Sequence, residues 1–525
     1  MDLMIRGAKV IEGSGKPAYT TDVAVLSGRI AEIGPHLGSR ASEELDAAGL
    51  CLAPGFIDPH THSDLMLLAR PAGESKIRQG VTTEVLGNCG FSAAPIGKDG
   101  SAEIPLHGKD VGVDIDWASM GGYLDRLRDS GSFVNIVPLV GHGALRRAVM
   151  GMEARAPTAE EQDKMERLLY ACLREGARGL STGLVYVPSV YATPEEITAL
   201  ARVVASEGGI YATHMRNESG GVIQAVREAM GVSRRSGVRL QISHLKIIGK
   251  RNWGCIEELL QTIDDGLHSG VDLACDQYPY SASSTRLSDV FPAWVREGGT
   301  TPMISRLKDG AFRRRMRQDW TERPEDWDSL GGVSGWEGVL ITEAPKVDGV
   351  VGRTLADLAA GEEDAFNVAC ELVVRTQGQV GCVFFDQSPD IMRRIMRHPS
   401  VLVGSDGASF SPKGTLAGFK PHPRSYGTFP RVLGRFVREE QLLTIEEAVK
   451  KMTYDTARHF RLEGRGEIRV GAWADIVLFD PEAVNDRATY EDPHQFPTGI
   501  PYVFVNGKPV IRDGQYTGAL PGSIL

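Results

Sequence analysis

The hydrophobic rhythm of the chain changes twice. From residue 1 to about 53, apolar and polar positions alternate with period two, in Leu3-Met4-Ile5-Arg6-Gly7-Ala8-Lys9-Val10-Ile11, Asp22-Val23-Ala24-Val25-Leu26 and Arg29-Ile30-Ala31-Glu32-Ile33. Gly13, Gly15, Ser27-Gly28 and Gly34-Pro35 punctuate these runs, which predicts a small antiparallel β unit. The far end repeats the texture in Ala474-Asp475-Ile476-Val477-Leu478-Phe479 and Tyr502-Val503-Phe504-Val505, followed by Asn506-Gly507, a tight-hairpin signal. Two β-rich ends around a different middle predict one small β-sandwich domain, made of residues 1–54 and 465–525.

Between them, short apolar runs alternate with helical segments. The candidate strands are Gly55–Asp58, Val81–Leu86, Asn135–Val140, Gly179–Thr182, Ile210–Thr213, Val238–Ser243, Val271–Cys275 and Val401–Ser405. Thr158/Glu161, Thr193/Glu196 (with Pro194 at the first helical position) and Thr444/Glu447 read as capping boxes, in which side chains satisfy first-turn amides. Eight strands alternating with helices predict a (β/α)8 TIM-like barrel over residues 55–464, with an open doubly wound sheet as the competing architecture. Roughly 125 residues separate the last two strands, more than one helix needs, so an inserted lid is expected at about 287–345.

Composition narrows the class. A net charge of −10 and a pI near 5.7 argue against nucleic-acid binding. No apolar run approaches the roughly 18 residues of a membrane helix, and Met1-Asp2-Leu3-Met4-Ile5-Arg6-Gly7 lacks a signal peptide's pattern. The seven cysteines are scattered, without a Cys-x-x-Cys, which fits a reducing cytoplasm.

In an α/β barrel the active site lies where the C-terminal ends of the strands meet. His60 and His62 follow the first run and share a face, because side chains alternate along extended chain. Gly87-Asn88-Cys89-Gly90 follows the second run, and Gly141-His142-Gly143 the third. The fifth ends in His214, with Arg216 and Glu218 behind it; the sixth ends in His244, followed by Lys246. Asp276-Gln277-Tyr278-Pro279-Tyr280 ends the seventh and Asp406-Gly407 the eighth. Five of only 12 histidines thus fall on one rim, which predicts a metal site. Imidazole and thiolate suit zinc, and a catalytic zinc keeps a position open for water. Asp406 is placed to act as general base and then general acid, and Cys89, whose pKa a metal would depress, could bridge two ions.

These motifs resemble the amidohydrolase superfamily through Gly55-Phe56-Ile57-Asp58-x-His60-x-His62, His214, His244 and Asp406. The resemblance narrows to the N-acyl-D-amino-acid deacylases (D-aminoacylases) through Gly87-Asn88-Cys89-Gly90, Ser181-Thr182-Gly183-Leu184, Thr213-His214-Met215-Arg216, Ser243-His244-Leu245-Lys246, Tyr278-Pro279-Tyr280, Gly404-Ser405-Asp406-Gly407 and His422-Pro423-Arg424-Ser425-Tyr426-Gly427. It implies a tightly held zinc on Cys89, His214 and His244, and a second, weaker site on His60, His62, Cys89 and Asp406. It also implies Asp406 as catalytic acid/base and Lys246 and Arg424 as binders of the substrate carboxylate, with Tyr278 and Ser284 near the substrate. His142 is a candidate oxyanion group. Arg286 is a candidate cation for an acidic substrate side chain, the competing reading being a lid ion pair. The implied reaction is hydrolysis of N-acyl-D-amino acids, small-molecule substrates. The competing functions are a cyclic amidase or dipeptidase on the same scaffold and a non-catalytic scaffold protein. Related cyclic-amide hydrolases bridge their metals with a modified lysine at the end of the fourth strand; Gly179-Leu180-Ser181-Thr182-Gly183 has none.

Overall fold

The computed structural model describes residues 1–69, 73–97, 111–322 and 334–525. All eight expected barrel strands form, each limit within two residues of the expected one. They are Phe56–Asp58, Val81–Leu86, Asn135–Pro138 continued by Val140–Gly141, Gly179–Gly183, Ile210–His214, Arg239–Ile242, Leu273–Gln277 and Val401–Val403. Neighbours pair in parallel throughout. Their residues are almost all buried, as expected for parallel strands covered on both faces.

Two interactions close the cylinder between the first and last strands. Thr61 and Gly407 form a parallel bridge, and the Asp406 amide donates to the His60 carbonyl at 2.8 Å. Beneath them Asp58 Oδ1 accepts from the amides of His60 (3.2 Å) and Ser405 (3.0 Å). Asp58 Oδ2 pairs with Lys76 Nζ at 2.9 Å, both side chains fully buried, and Lys76 also donates to Ser405 Oγ.

The helices follow their amphipathic pattern. Ala159–Glu175 buries Met165, Leu169, Cys172 and Leu173, one face at helical spacing, and its Thr158/Glu161 capping box is complete. The Thr444/Glu447 box is complete as well. At Thr193 only half of the expected box forms. Its hydroxyl accepts from the Glu196 amide, but the Glu196 carboxylate turns to His142 and Arg146 instead. A buried guanidinium is a stronger partner for that carboxylate than a backbone amide.

Both chain ends join in one continuous nine-stranded sheet beside the barrel, with Ile476–Phe479 pairing directly with Cys51–Pro54. The sheet is mixed, where the turn pattern predicts antiparallel pairing. Leu3–Val10 runs parallel to Glu43–Asp46 and Cys51–Pro54, because the chain crosses back over the intervening hairpin before pairing. The Asn506-Gly507 hairpin forms, both residues having positive φ.

The insertion is larger than the expected 287–345. It leaves the barrel at Ser283 and returns at Phe384, forming its own antiparallel sheet of Ser283–Arg286, Gly381–Phe384 and Val339–Glu343. Leu287, Phe291, Ile341, Phe366 and Cys382 belong to its separate core. Residues 323–333 of the expected lid lie outside the described residues.

Replacing Lys76 by Met should destabilise the fold by about 3–5 kcal/mol, because it breaks a fully buried ion pair by removing one partner. Urea unfolding measures this, and an unchanged midpoint would show that the pair does not close the barrel.

Candidate metal centre

The strand ends converge on one point. His60 and His62 leave the first strand on extended chain, their ring centroids 5.5 Å apart. Cys89 sits in a turn after the second strand whose flanking Gly90 approaches the fourth strand so closely that a Cβ there would meet the Gly183 nitrogen at 2.8 Å. His60 Nε2 lies 3.2 Å and His244 Nε2 3.5 Å from Cys89 Sγ. His62 Nε2 is 3.0 Å from Asp406 Oδ1. One donor atom each from His60, Cys89, His244 and Asp406 lies within 4.8 Å of the others, and His214, Glu218 and His244 form a second such group.

Three of these residues have the left-handed backbone that side chains disfavour: Cys89 (φ 55°), His244 (φ 36°) and Asp406 (φ 49°). Each such residue costs about 1–3 kcal/mol and persists where its surroundings over-determine it. All three meet in one centre.

The electrostatics agree. Burial alone would raise the Cys89 thiol, but the His60 and His244 rings pull it well below the ordinary range. Burial would also raise Asp406, yet Arg424, with Nη1 2.8 Å from Oδ2, and His60 and His244 hold it well below the usual carboxylate range. At His244 burial and Lys246 oppose the charged ring, while Glu218, Cys89 and Asp406 outweigh both and raise it to about 9.

Thiolate, imidazole and carboxylate make up a donor set that suits zinc. The buried Nδ1 atoms of His62 and His214 have no hydrogen-bond partner among the described residues, another mark of a group meant to meet a ligand. The residues present therefore fit a metal ion.

The cluster opens into a cavity of about 280 Å³, and Lys246, Tyr278, Ser284, Arg286 and Arg424 are among the residues that line it. In this structure both candidate carboxylate binders are engaged within the protein. Lys246 Nζ donates to Glu218 Oε1 at 2.7 Å, and Arg424 pairs with Asp406, its guanidinium 4.8 Å from the Tyr278 ring centre. Ser284 Oγ donates to the Cys382 carbonyl. Arg286 stands in register with Gly381 on the inserted sheet, and Glu343 flanks the same glycine from the other side.

His142 is not part of this site. It is fully buried at the start of helix His142–Val149, bonded through Nδ1 to Ser189 and through Nε2 to Glu196, each at 2.9 Å. Its rim position was right, but the helix that begins there carries the ring outward into a polar core with Arg146. Two site residues had no role assigned from sequence, Glu218 and Asp276. Glu218 follows the strand that ends in His214, and Asp276 lies near the end of the strand Leu273–Gln277, the one available signal.

The amidohydrolase family profile matches residues 43–511. An N-acyl-D-glutamate deacylase of Alcaligenes xylosoxydans xylosoxydans is 38% identical, the alignment covering all of this chain and 96% of the relative. A D-aminoacylase of the same organism is 37% identical over all of this chain and 97% of its own length. The crystal structure of N-acyl-D-glutamate deacylase from Bordetella bronchiseptica, complexed with zinc and a phosphonate mimic of the tetrahedral intermediate, superposes with a TM-score of 0.84 at 36% identity, covering all of this chain and 99% of that one. Similarity that runs from end to end at this level leaves one assignment: the chain belongs to the amidohydrolase family and, within it, to the N-acyl-D-amino-acid deacylases.

Proposed function

We propose that this protein hydrolyses the amide bond of N-acyl-D-amino acids, releasing a carboxylate and a free D-amino acid. The observation that carries the reading is the juxtaposition of Asp406 with the His60–Cys89–His244 cluster at the base of a cavity whose wall holds Lys246 and Arg424. The D configuration follows from the relatives, which act on N-acyl-D-amino acids by name.

In this reading Cys89, His214 and His244 hold one zinc tightly, and His60, His62, Cys89 and Asp406 form a second, weaker position. The zinc in the Bordetella relative and the soft donor set here support that assignment. When bound, zinc polarises a carbonyl and brings the pKa of water towards about 7. Asp406 removes the proton from the attacking water and returns it to the departing nitrogen, which leaves as the amine of the D-amino acid. The Arg424 fork and the Lys246 ammonium are suited to the substrate carboxylate. To bind it, each exchanges an internal carboxylate partner for the ligand's. Arg286 lines the same cavity from the inserted sheet, and its charge would suit an acidic substrate side chain.

Amine release from paired N-acetyl-D- and N-acetyl-L-amino acids, with zinc determined on the same sample, tests the reading. Turnover of D substrates alone, with zinc present, is expected; zinc without turnover of any of them would redirect the search to cyclic amides and dipeptides. Asp406→Asn should lower kcat at least about a hundredfold while the tight zinc stays bound, and wild-type kcat would remove Asp406 from its role. Arg286→Leu should reduce kcat/KM for N-acetyl-D-glutamate about 10- to 100-fold while N-acetyl-D-leucine changes little, as expected from losing one charged hydrogen bond. Equal effects on both substrates would make Arg286 a residue of the wall only.

A further inference from the structure

Two buried carboxylates stand directly behind the cluster, and each faces the Nδ1 atom of a different histidine. Asp276 Oδ1 lies 3.2 Å from His60 Nδ1, and Glu218 Oε1 lies 2.9 Å from His244 Nδ1. The opposite ring atoms, His60 Nε2 and His244 Nε2, are the two that point at Cys89 Sγ. A neutral imidazole carries one proton, and when Nδ1–H donates to a carboxylate the lone pair is left on Nε2.

We propose that Asp276 and Glu218 are positioning residues, which fix the tautomer and ring angle of His60 and His244 so that both Nε2 lone pairs converge beside Cys89.

The surroundings of Asp276 are built for this task. Its Oδ1 also accepts the His244 amide at 2.8 Å, and its Oδ2 accepts Gln241 Nε2 at 2.7 Å. One carboxylate therefore holds the ring of His60 and the left-handed backbone of His244. A Cβ on Gly404 would approach Asp276 Oδ1 to 3.0 Å, so the glycine just past the last strand leaves this side chain its room.

Glu218 does a second thing that Asp276 does not. Its Oε1 accepts Lys246 Nζ at 2.7 Å, while that ammonium lies 2.8 Å from His244 Nδ1. An ammonium can only donate, so Lys246 and Glu218 compete for Nδ1 with opposite consequences. Weakening the Glu218 acceptor leaves Lys246, which can only donate, as the nearest neighbour of Nδ1 and disfavours a proton there. Glu218 therefore couples His244 to Lys246, the proposed carboxylate binder.

The inference rests on the zinc reading given under Proposed function, and one competition series separates the two. Zinc affinity of the wild type, Asp276→Ala and Glu218→Gln is measured against a chromophoric chelator, together with the visible spectrum of the cobalt-loaded proteins and the melting temperature without metal. Each variant should bind zinc about 10- to 100-fold more weakly at the position its histidine serves, Glu218→Gln at the tight site through His244 and Asp276→Ala at the second site through His60, and both should show altered cobalt spectra. Glu218→Gln should also raise KM for N-acetyl-D-amino acids, and the Asp276 variant should leave KM near the wild-type value. If Asp276→Ala does not fold, Asp276→Asn, which keeps the side-chain shape, carries the same expectation. Wild-type zinc affinity and cobalt spectra in folded variants, with or without a lower melting temperature, would overturn the positioning roles. A wild-type protein without zinc affinity would instead refute the zinc reading itself.

Discussion

Asp58 ties the molecule together at its most demanding point. Its Oδ1 accepts from the amides of His60 and Ser405, one just past the first strand and one just past the last. A parallel barrel has no covalent link between those strands, and closure must come from side chains and a few backbone bonds. The group that closes the cylinder thus also decides where His60, His62 and Asp406 are delivered. A buried carboxylate is costly without a partner, and Lys76, reaching in from the segment before the second strand, supplies it.

The same economy of position recurs around the cluster. Cys89, His244 and Asp406 adopt disfavoured backbone angles, held by packing and hydrogen bonds from neighbouring strands. Like-charged and oppositely charged groups are crowded into a water-poor space, so each depends on its neighbours for its protonation state. The depressed Cys89 thiol contrasts with Cys172 and Cys370, which burial pushes up to about 12. Proximity to histidines, rather than burial, distinguishes the one cysteine that can serve as a ligand.

The inserted sheet gives the cavity its outer wall. The barrel rim alone supplies the cluster, Lys246 and Arg424; Ser284, Arg286 and Glu343 come from an independent core bolted to the end of the seventh strand. The clustered donor atoms and the outer wall of the cavity therefore reside on separate structural units.

Most of the barrel, and the gathering of His60, Cys89, His244 and Asp406 at its rim, were legible in the chain, because both are written locally. Strand runs, capping threonines and strand-end histidines are patterns of adjacent residues, and parallel strands must deliver their C-terminal ends to one rim. Pairings between distant residues were not legible. The Glu196 carboxylate abandons its capping box for Arg146, and His142 goes with it into the core, since a buried charge takes its strongest partner wherever the fold brings one. Asp276 and Glu218 were visible as strand-end carboxylates, yet their facing of His60 and His244 depends on which strands become neighbours and at what stagger. The sequence by itself determined the architecture and the chemical groups at the rim. Only the tertiary structure decided which carboxylate holds which histidine, because hydrogen bonds are set to within tenths of an ångström by packing between different strands and loops of the fold.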